Sequence, residues 1–261
     1  MSYIKVENLE FAYENNSKKI LEGLNLSVDF AEFVCILGKS GCGKSTLLRL
    51  LSGLESPTRG SIKLKEKEIM DAGLDRAVVF QDYGLFPWFS AGDNISLALK
   101  QKYPQKTKSE IKKMAIEALN SVGLEADIYG KLPKELSGGM QQRCAIAQAF
   151  SLDSEVLLMD EPFGAIDAVT RSNLQELIIN LYNKSLEKKT VFFVTHDVDE
   201  AILLANRIIV LGQSPSKIIF DMKLDKSTIM TRENQFNDKK MIELRNLLIK
   251  KINEDISKKL K

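Results

Sequence analysis

Cysteine and histidine are scarce in this 261-residue chain, which has three of the first and one of the second. Cys35, Cys42 and Cys144 are too few and too scattered for a disulfide framework or a zinc knuckle, and they suit a reducing cytosol. A lone histidine without paired cysteines also argues against a transition-metal site. An excess of one charge is missing too: 37 Lys and Arg against 35 Asp and Glu leave a formal net charge of +2. Such balance provides no global field that would favour nucleic acid or an anionic membrane surface. No run of roughly 18 or more apolar residues occurs, so any membrane-spanning part is expected from another polypeptide. The opening MSYIKVENLEF has no basic patch followed by an apolar stretch, so no signal peptide is expected. Internal repeats, low-complexity stretches and a convincing inter-domain linker are absent as well. What remains is ordinary globular composition, 44% hydrophobic and 28% charged, enough for one large domain or two small ones.

Strand-like segments open the chain at Tyr3 to Val6, Leu21 to Phe30 and the apolar run Phe33 to Leu37. After a glycine-rich turn, Leu47, Leu48, Leu50, Leu51 and Leu54 recur at helical spacing. Ala77 to Phe80, Val156 to Met159, Val191 to Thr195 and Ile208 to Leu211 read as buried strands. Helical patterns lie between, at Lys108 to Val122, Met140 to Ser151 and Val169 to Tyr182. Short apolar strands alternating with helices predict an α/β fold with a mainly parallel sheet. In the tail, Asn237 to Lys258 carries Met241, Leu244, Leu248, Ile252 and Ile256 on one helical face. That face serves either to pack on the domain or to bind a partner.

GKSGCGKST, comprising Gly38, Lys39, Ser40, Gly41, Cys42, Gly43, Lys44, Ser45 and Thr46, follows an apolar strand and precedes a helix. That context gives the G-x-x-x-x-G-K-[ST] pattern its meaning. Glycines let successive backbone N–H groups converge on phosphate oxygens at a helix N-terminus. Lys44 supplies charge for the β and γ phosphates of ATP, and Ser45 a hydroxyl for Mg²⁺. Cys42 lies near that helix N-terminus, which would lower its pKa, unless it is only a passive small residue. Glu155 to Pro162 is an apolar strand that delivers two acids to the carboxyl edge of the sheet. Asp160 is expected to hold Mg²⁺ and Glu161 to act as general base toward water. Gln81 follows another core strand and can offer an amide oxygen to Mg²⁺. His196 follows Val191 to Thr195 at the same edge, which suits contact with the γ-phosphate.

LSGGMQQR, Leu136 to Arg143, opens a helical stretch. Ser137, Gly138 and Gly139 present a hydroxyl and bare N–H groups there, as a second anion site or simply as a serine N-cap. One nucleotide does not need two cradles, so the second would serve the ATP of another copy in a head-to-tail dimer.

With these motifs in this order the chain resembles the ATP-binding cassette (ABC) transporter ATPases, from about Tyr3 to about Phe220. The likeness rests on GKSGCGKST, Gln81 in VFQDYG, LSGGMQQR, VLLMDEP, the segment Gly164 to Asp167, and Thr195 to Asp197. It implies a P-loop fold with an N-terminal antiparallel β subdomain and a helical subdomain carrying LSGGM. The implied domain spans 3–229, with the helical subdomain at about 88–152, and a C-terminal amphipathic helix and tail follow at 230–261. It implies that Tyr13 stacks on adenine, although a strand-end aromatic also packs locally. Asp167 would help connect two ATP sites. Met140, Ala31 and Lys39 depart from the family's usual Gln, Gly and Pro. The wording around LSGGM, EPFGAID, Phe86-Pro87-Trp88 and Asp75-Arg76 is similar to nitrate, sulfonate and taurine import ATPases. The implied setting is the cytoplasmic face of the cell membrane, with integral permease subunits and, indirectly, an extracytoplasmic solute-binding protein as partners. Phe86, Pro87 and Trp88 would receive a helix of the permease, or else form a buried loop cluster. A soluble ABC ATPase acting on nucleic acid or the ribosome is the competing reading. A regulatory module that holds ATP without turnover is the third, and intact Glu161 and His196 speak against it.

Overall fold

The computed structural model describes residues 2–13, 18–164, 166–185, 188–224 and 236–259. Ala165, the boundary expected near 229 and the side chain of Ile256 lie outside what is described. Two compact units emerge, Met1–Gly73 with Thr190–Lys261, and Leu74–Lys189.

The first unit opens with β1 (Ile4–Phe11), β2 (Leu21–Val28), β3 (Phe33–Leu37), α1 (Lys44–Ser52), β4 (Arg59–Leu64) and β5 (Lys67–Glu68). The second contains β6 (Arg76–Val79), α2 (Ala91–Lys102), α3 (Lys108–Ser121), α4 (Gly138–Ser151), β7 (Val156–Asp160) and α5 (Ala168–Lys184). The chain then re-enters the first unit through β8 (Thr190–Thr195), α6 (Val198–Leu204), β9 (Arg207–Leu211), β10 (Ile218–Lys223) and α7 (Lys239–Lys259).

In the first unit an antiparallel sheet runs β2-β1-β4-β5. Ile4, Val6, Leu9 and Phe11 of β1 are buried, and a register shift between Val6 and Leu9 keeps Leu9 inward. Asn8 absorbs the shift at φ 46, a conformation asparagine tolerates better than most residues. Beside it, β3 pairs in parallel with β8 and with β9, and β10 closes antiparallel on β9. Every residue of β3, β8 and β9 is buried. Strands covered on both faces need unbroken apolar runs, which is why these were legible as such.

β2 stops at Val28, short of the expected Phe30. The chain turns instead, with Glu32 N–H donating to Asp29 O at 3.4 Å, Ala31 at φ 62 and Phe30 half exposed. Ala31 thus takes up the left-handed conformation of the glycine it replaces, at a cost of about 1–2 kcal/mol. Its N–H donates to Thr190 Oγ1 at 3.1 Å, which holds the turn on β8.

α7 packs on its own unit, against α6, β9 and β10. Leu244 and Leu248 are buried and Met241 and Ile252 half-buried, so the apolar face read from the sequence covers the domain. Each fully buried leucine contributes about 1.5–3 kcal/mol.

In the second unit β6 and β7 pair in parallel, Val79 opposite Met159. α2, α3 and α4 pack on one another, and α4 also touches β6 and α5. Side-chain caps start the helices: Ser90 Oγ accepts from Asp93 N at 3.1 Å, and Thr107 and Glu110 form a reciprocal box on α3. α2 had no strong sequence pattern because its buried side includes Ala91, Gly92 and Asn94. Among the described residues no helix is long and apolar enough to cross a membrane.

Candidate functional site

In the first unit β3 hands the chain to the glycine loop at its carboxyl end. Gly41 and Gly43 take φ 77 and 99, which turns the loop back onto the start of α1. A Cβ on Gly43 would also meet Ile20 and Leu21 side-chain carbons at 3.0 Å, so glycine is required twice over. The first turn of α1 holds no acid, and Gly43 provides no side-chain cap. The positive end of the helix therefore faces the loop. Lys44 is buried, and its ammonium donates to Gly38 O at 2.9 Å and Lys39 O at 3.2 Å, curling over the loop. Ser45 is half-buried on the next position. Tyr13 OH lies 3.4 Å from Thr46 Oγ1, and its ring meets Phe11 edge-on with centroids 4.8 Å apart. The Tyr13 ring is 38% exposed, so it packs locally and still shows surface beside the loop.

Of the two readings of Cys42, the passive small residue is the one the fold realises. Its side chain is buried, and burial pushes the thiol above its ordinary pKa despite the opposing charge of Lys44. Its carbonyl accepts from Ser216 Oγ, a fully buried hydroxyl just before β10. Cys42 is packing, with no activated thiolate.

The parallel register places Leu37 opposite Thr195. The glycine loop and His196 therefore leave neighbouring strands at one edge, and His196 is exposed there. The backbone around it is tied down: Thr195 Oγ1 donates to Glu200 Oε2 at 2.6 Å and accepts from Asp197 N at 3.0 Å. Asp197 in turn caps α6, accepting from Asp199 N at 2.8 Å and Glu200 N at 3.3 Å.

In the second unit the Val79–Met159 register brings Gln81 and the acids to a common edge. Asp160 ends β7, and Glu161 follows at φ 42 in a turn closed by Gly164 N–H donating to Glu161 O at 3.1 Å. Phe163 anchors that turn in the core. Gln81 Nε2 lies 3.9 Å from where a Cβ on Gly164 would sit, so the glutamine flanks the acid turn. A glutamate held in left-handed backbone is strained, and such strain gathers at functional positions.

Ser137 caps α4, accepting from Met140 N at 3.3 Å, so the N-cap alternative is realised in the fold. The hydroxyl proton stays available for a ligand, and the first turn of α4 again holds no acid. The two glycines also have packing reasons: a Cβ would come 3.1 Å from Tyr83 OH at Gly138 and 2.8 Å from Thr170 Cγ2 at Gly139. Tyr83, at φ 69 with its N–H on Phe80 O, was not singled out by sequence reasoning, since no spacing rule links it to the start of α4. Asp167 caps α5 from its exposed position, accepting from Val169 N and Thr170 N. Those bonds, that to Thr170 first, hold its carboxyl below the usual range.

Phe86, Trp88 and Phe89 form an aromatic group with centroids 5.5 to 6.4 Å apart. Trp88 is 68% exposed, which overturns the buried-cluster alternative. Asn94, buried beneath, accepts from Phe86 N at 2.8 Å and donates to the carbonyls of Phe86, Phe89 and Ser90. A buried amide thus fixes the backbone of an exposed apolar platform.

Comparison with known proteins agrees with these features. The ABC transporter family matches residues 21–164. An uncharacterized ABC transporter ATP-binding protein of Methanocaldococcus jannaschii is 42% identical, over 99% of this chain and 94% of its own length. The nitrate import ATP-binding protein NrtD of Synechococcus elongatus is 48% identical, over 76% of this chain and 72% of its own. The bicarbonate transport ATP-binding protein CmpD of the same species is 42% identical, over 94% of this chain and 88% of its own. Among solved structures, a dimeric ATP-binding cassette in a post-hydrolysis state bound to ADP and Pi superposes with TM-score 0.75 at 32% identity. It covers 85% of this chain and 99% of the cassette. The chain belongs to the ABC transporter family, as an ATP-hydrolysing subunit.

Proposed function

We propose that this subunit energises uptake of a small solute, nitrate-, sulfonate- or taurine-like, through a separate membrane permease. The carrying observation is the identity of 42–48% to ATP-binding proteins of nitrate and bicarbonate import. The exposed Phe86–Trp88–Phe89 platform supports the permease as partner, being an apolar patch on a rigid base. It would receive a short membrane-subunit helix at the cytoplasmic face of the membrane.

In this reading Tyr13 stacks on adenine, while Gly38 to Thr46 wrap the phosphates and Lys44 neutralises them. Ser45, Gln81 and Asp160 are hard oxygen donors that suit Mg²⁺, an ion usually held by one or two carboxylates plus the substrate's phosphates. Bound Mg²⁺ would neutralise charge developing on the β and γ oxygens. Glu161 takes the proton of the attacking water, and His196 contacts the γ-phosphate. Ser137, Gly138 and Gly139 reach the ATP of a second copy in a head-to-tail dimer, and Asp167 helps connect the two sites. Hydrolysis then follows dimer closure, which is how this subunit pushes on a permease.

Glu161→Gln is expected to bind ATP, accumulate as dimer and lose hydrolysis by about 100-fold or more. A variant that turns over like the parent would sink the base assignment. The solute class is tested in proteoliposomes holding the permease encoded beside this chain. ATP-dependent uptake of nitrate or a sulfonate is expected, and failure with all such anions removes the class.

A further inference from the structure

The C-terminal helix packs on α6 and β9, two elements next to the phosphate loop's strand. β3 lies between β8 and β9, and α7 packs on α6, which follows β8, and on β9 itself. Near its start, Arg245 Nε donates to Asp199 Oδ1 at 2.6 Å, with Nη2 2.5 Å from the same oxygen. Asp199 lies in the first turn of α6, three residues beyond His196. The guanidinium carbon also lies 4.8 Å from the centre of the Phe236 ring, which holds its plane in place.

Ten residues on, about 15 Å along the helix axis, Asp255 grips the other side. Its Oδ2 accepts from Gln213 N at 2.7 Å, in the turn that joins β9 to β10. That turn backs the phosphate loop. Ser216 shares its hydroxyl proton between Cys42 O and Gly212 O, and Leu211 O lies 3.0 Å from where a Cβ on Gly38 would sit. One helix is therefore clamped by charge to the segment carrying His196 at one end and to the support of the glycine loop at the other. Leu248, buried between the clamps, and Leu244, buried just before the first, fix its height above the unit.

From this we infer that α7 is a strap that sets the position of His196 against the phosphate loop, with Arg245 and Asp255 as positioning residues for hydrolysis. The inference deepens the proposed function and rests on its assignment of His196 to the γ-phosphate. Neither residue is among those assigned to ATP, so the strap should govern turnover and leave nucleotide affinity in place.

The test uses the full chain and steady-state phosphate release, normalised to sites titrated by nucleotide binding. Arg245→Gln is expected to lower kcat about 10-fold while KM for ATP changes less than about 2-fold, because a small misplacement of a transition-state contact costs rate before affinity. Arg245→Lys should recover part of the loss. Asp255→Ala, at the far clamp, should lower kcat in the same sense and serves if Arg245→Gln fails to fold. In a His196→Ala background, Arg245→Gln should add no further loss. An unchanged kcat per binding site overturns the strap, as does a loss that only tracks the number of folded sites. Its failure is distinguishable from failure of the His196 reading. Parent-like turnover in His196→Ala removes that reading, whereas parent-like turnover in Arg245→Gln beside an inactive His196→Ala removes the strap.

Discussion

Glu161 sits at φ 42, where an L-residue with a Cβ crowds its own carbonyl. Substituting it by alanine and by glycine separates the backbone from the carboxylate, since both variants lack the acid and differ only in the Cβ. Left-handed backbone costs an L-residue about 1–2 kcal/mol, whereas glycine loses about 0.5–1 kcal/mol more chain entropy on folding. The difference predicts that Glu161→Gly is more stable than Glu161→Ala by about 0.5–1 kcal/mol. For a chain of this size that is roughly 2 °C in the midpoint of thermal unfolding. Neither variant should hydrolyse ATP. Differential scanning fluorimetry on nucleotide-free protein reads the first effect, and phosphate release the second. Midpoints that coincide, or an alanine variant that is the more stable, would refute the claim that this turn stores backbone strain. Ala31→Gly, at φ 62, should shift in the same direction while leaving turnover at the parent level.

Trp88→Ala should abolish solute uptake in the assembled transporter while the detached subunit still hydrolyses ATP; uptake at the parent rate would remove the platform as the permease contact. Asn94→Ala removes the partner of the part-buried Phe86 N–H and of its neighbouring carbonyls, and should destabilise the second unit by about 2–4 kcal/mol in urea titration. Thiol titration checks the cysteines. Burial pushes Cys42 upward, Cys144 to about 12 and Cys35 well above its ordinary value, so at pH 8 all three stay protonated and shielded. Native protein should resist thiol reagents and release all three on denaturation, and rapid labelling of Cys42 in the folded protein would contradict its assigned burial.

The sequence made the core strands legible because a strand buried on both faces must be apolar throughout, as in Phe33 to Leu37 and Val191 to Thr195. Strands that are not buried throughout carry no such mark. β10 is half exposed and mixes Ile218 with Asp221, and β4 opens on the exposed Arg59 and Gly60, so neither was expected. α2 escaped for a related reason, since only Ile95 and Leu99 of its core side are large and apolar, the rest being Ala91, Gly92 and an asparagine whose value lies in its hydrogen bonds.

By itself the sequence determined the chemistry of this protein. A glycine loop between strand and helix, two acids ending a strand, and LSGGM in that order leave few alternatives to ATP hydrolysis. These are local arrangements, dictated by backbone freedom and residue type within a few positions. The tertiary structure decided what depends on distant neighbours. Packing made Cys42 an inert filler, since burial outweighs the pull of Lys44 on its thiol. It left Trp88 exposed above a buried amide, and it tied α7 to the first turn of α6 and to the turn between β9 and β10. Burial and long-range ion pairing are sums over the whole fold, and no window of sequence contains them.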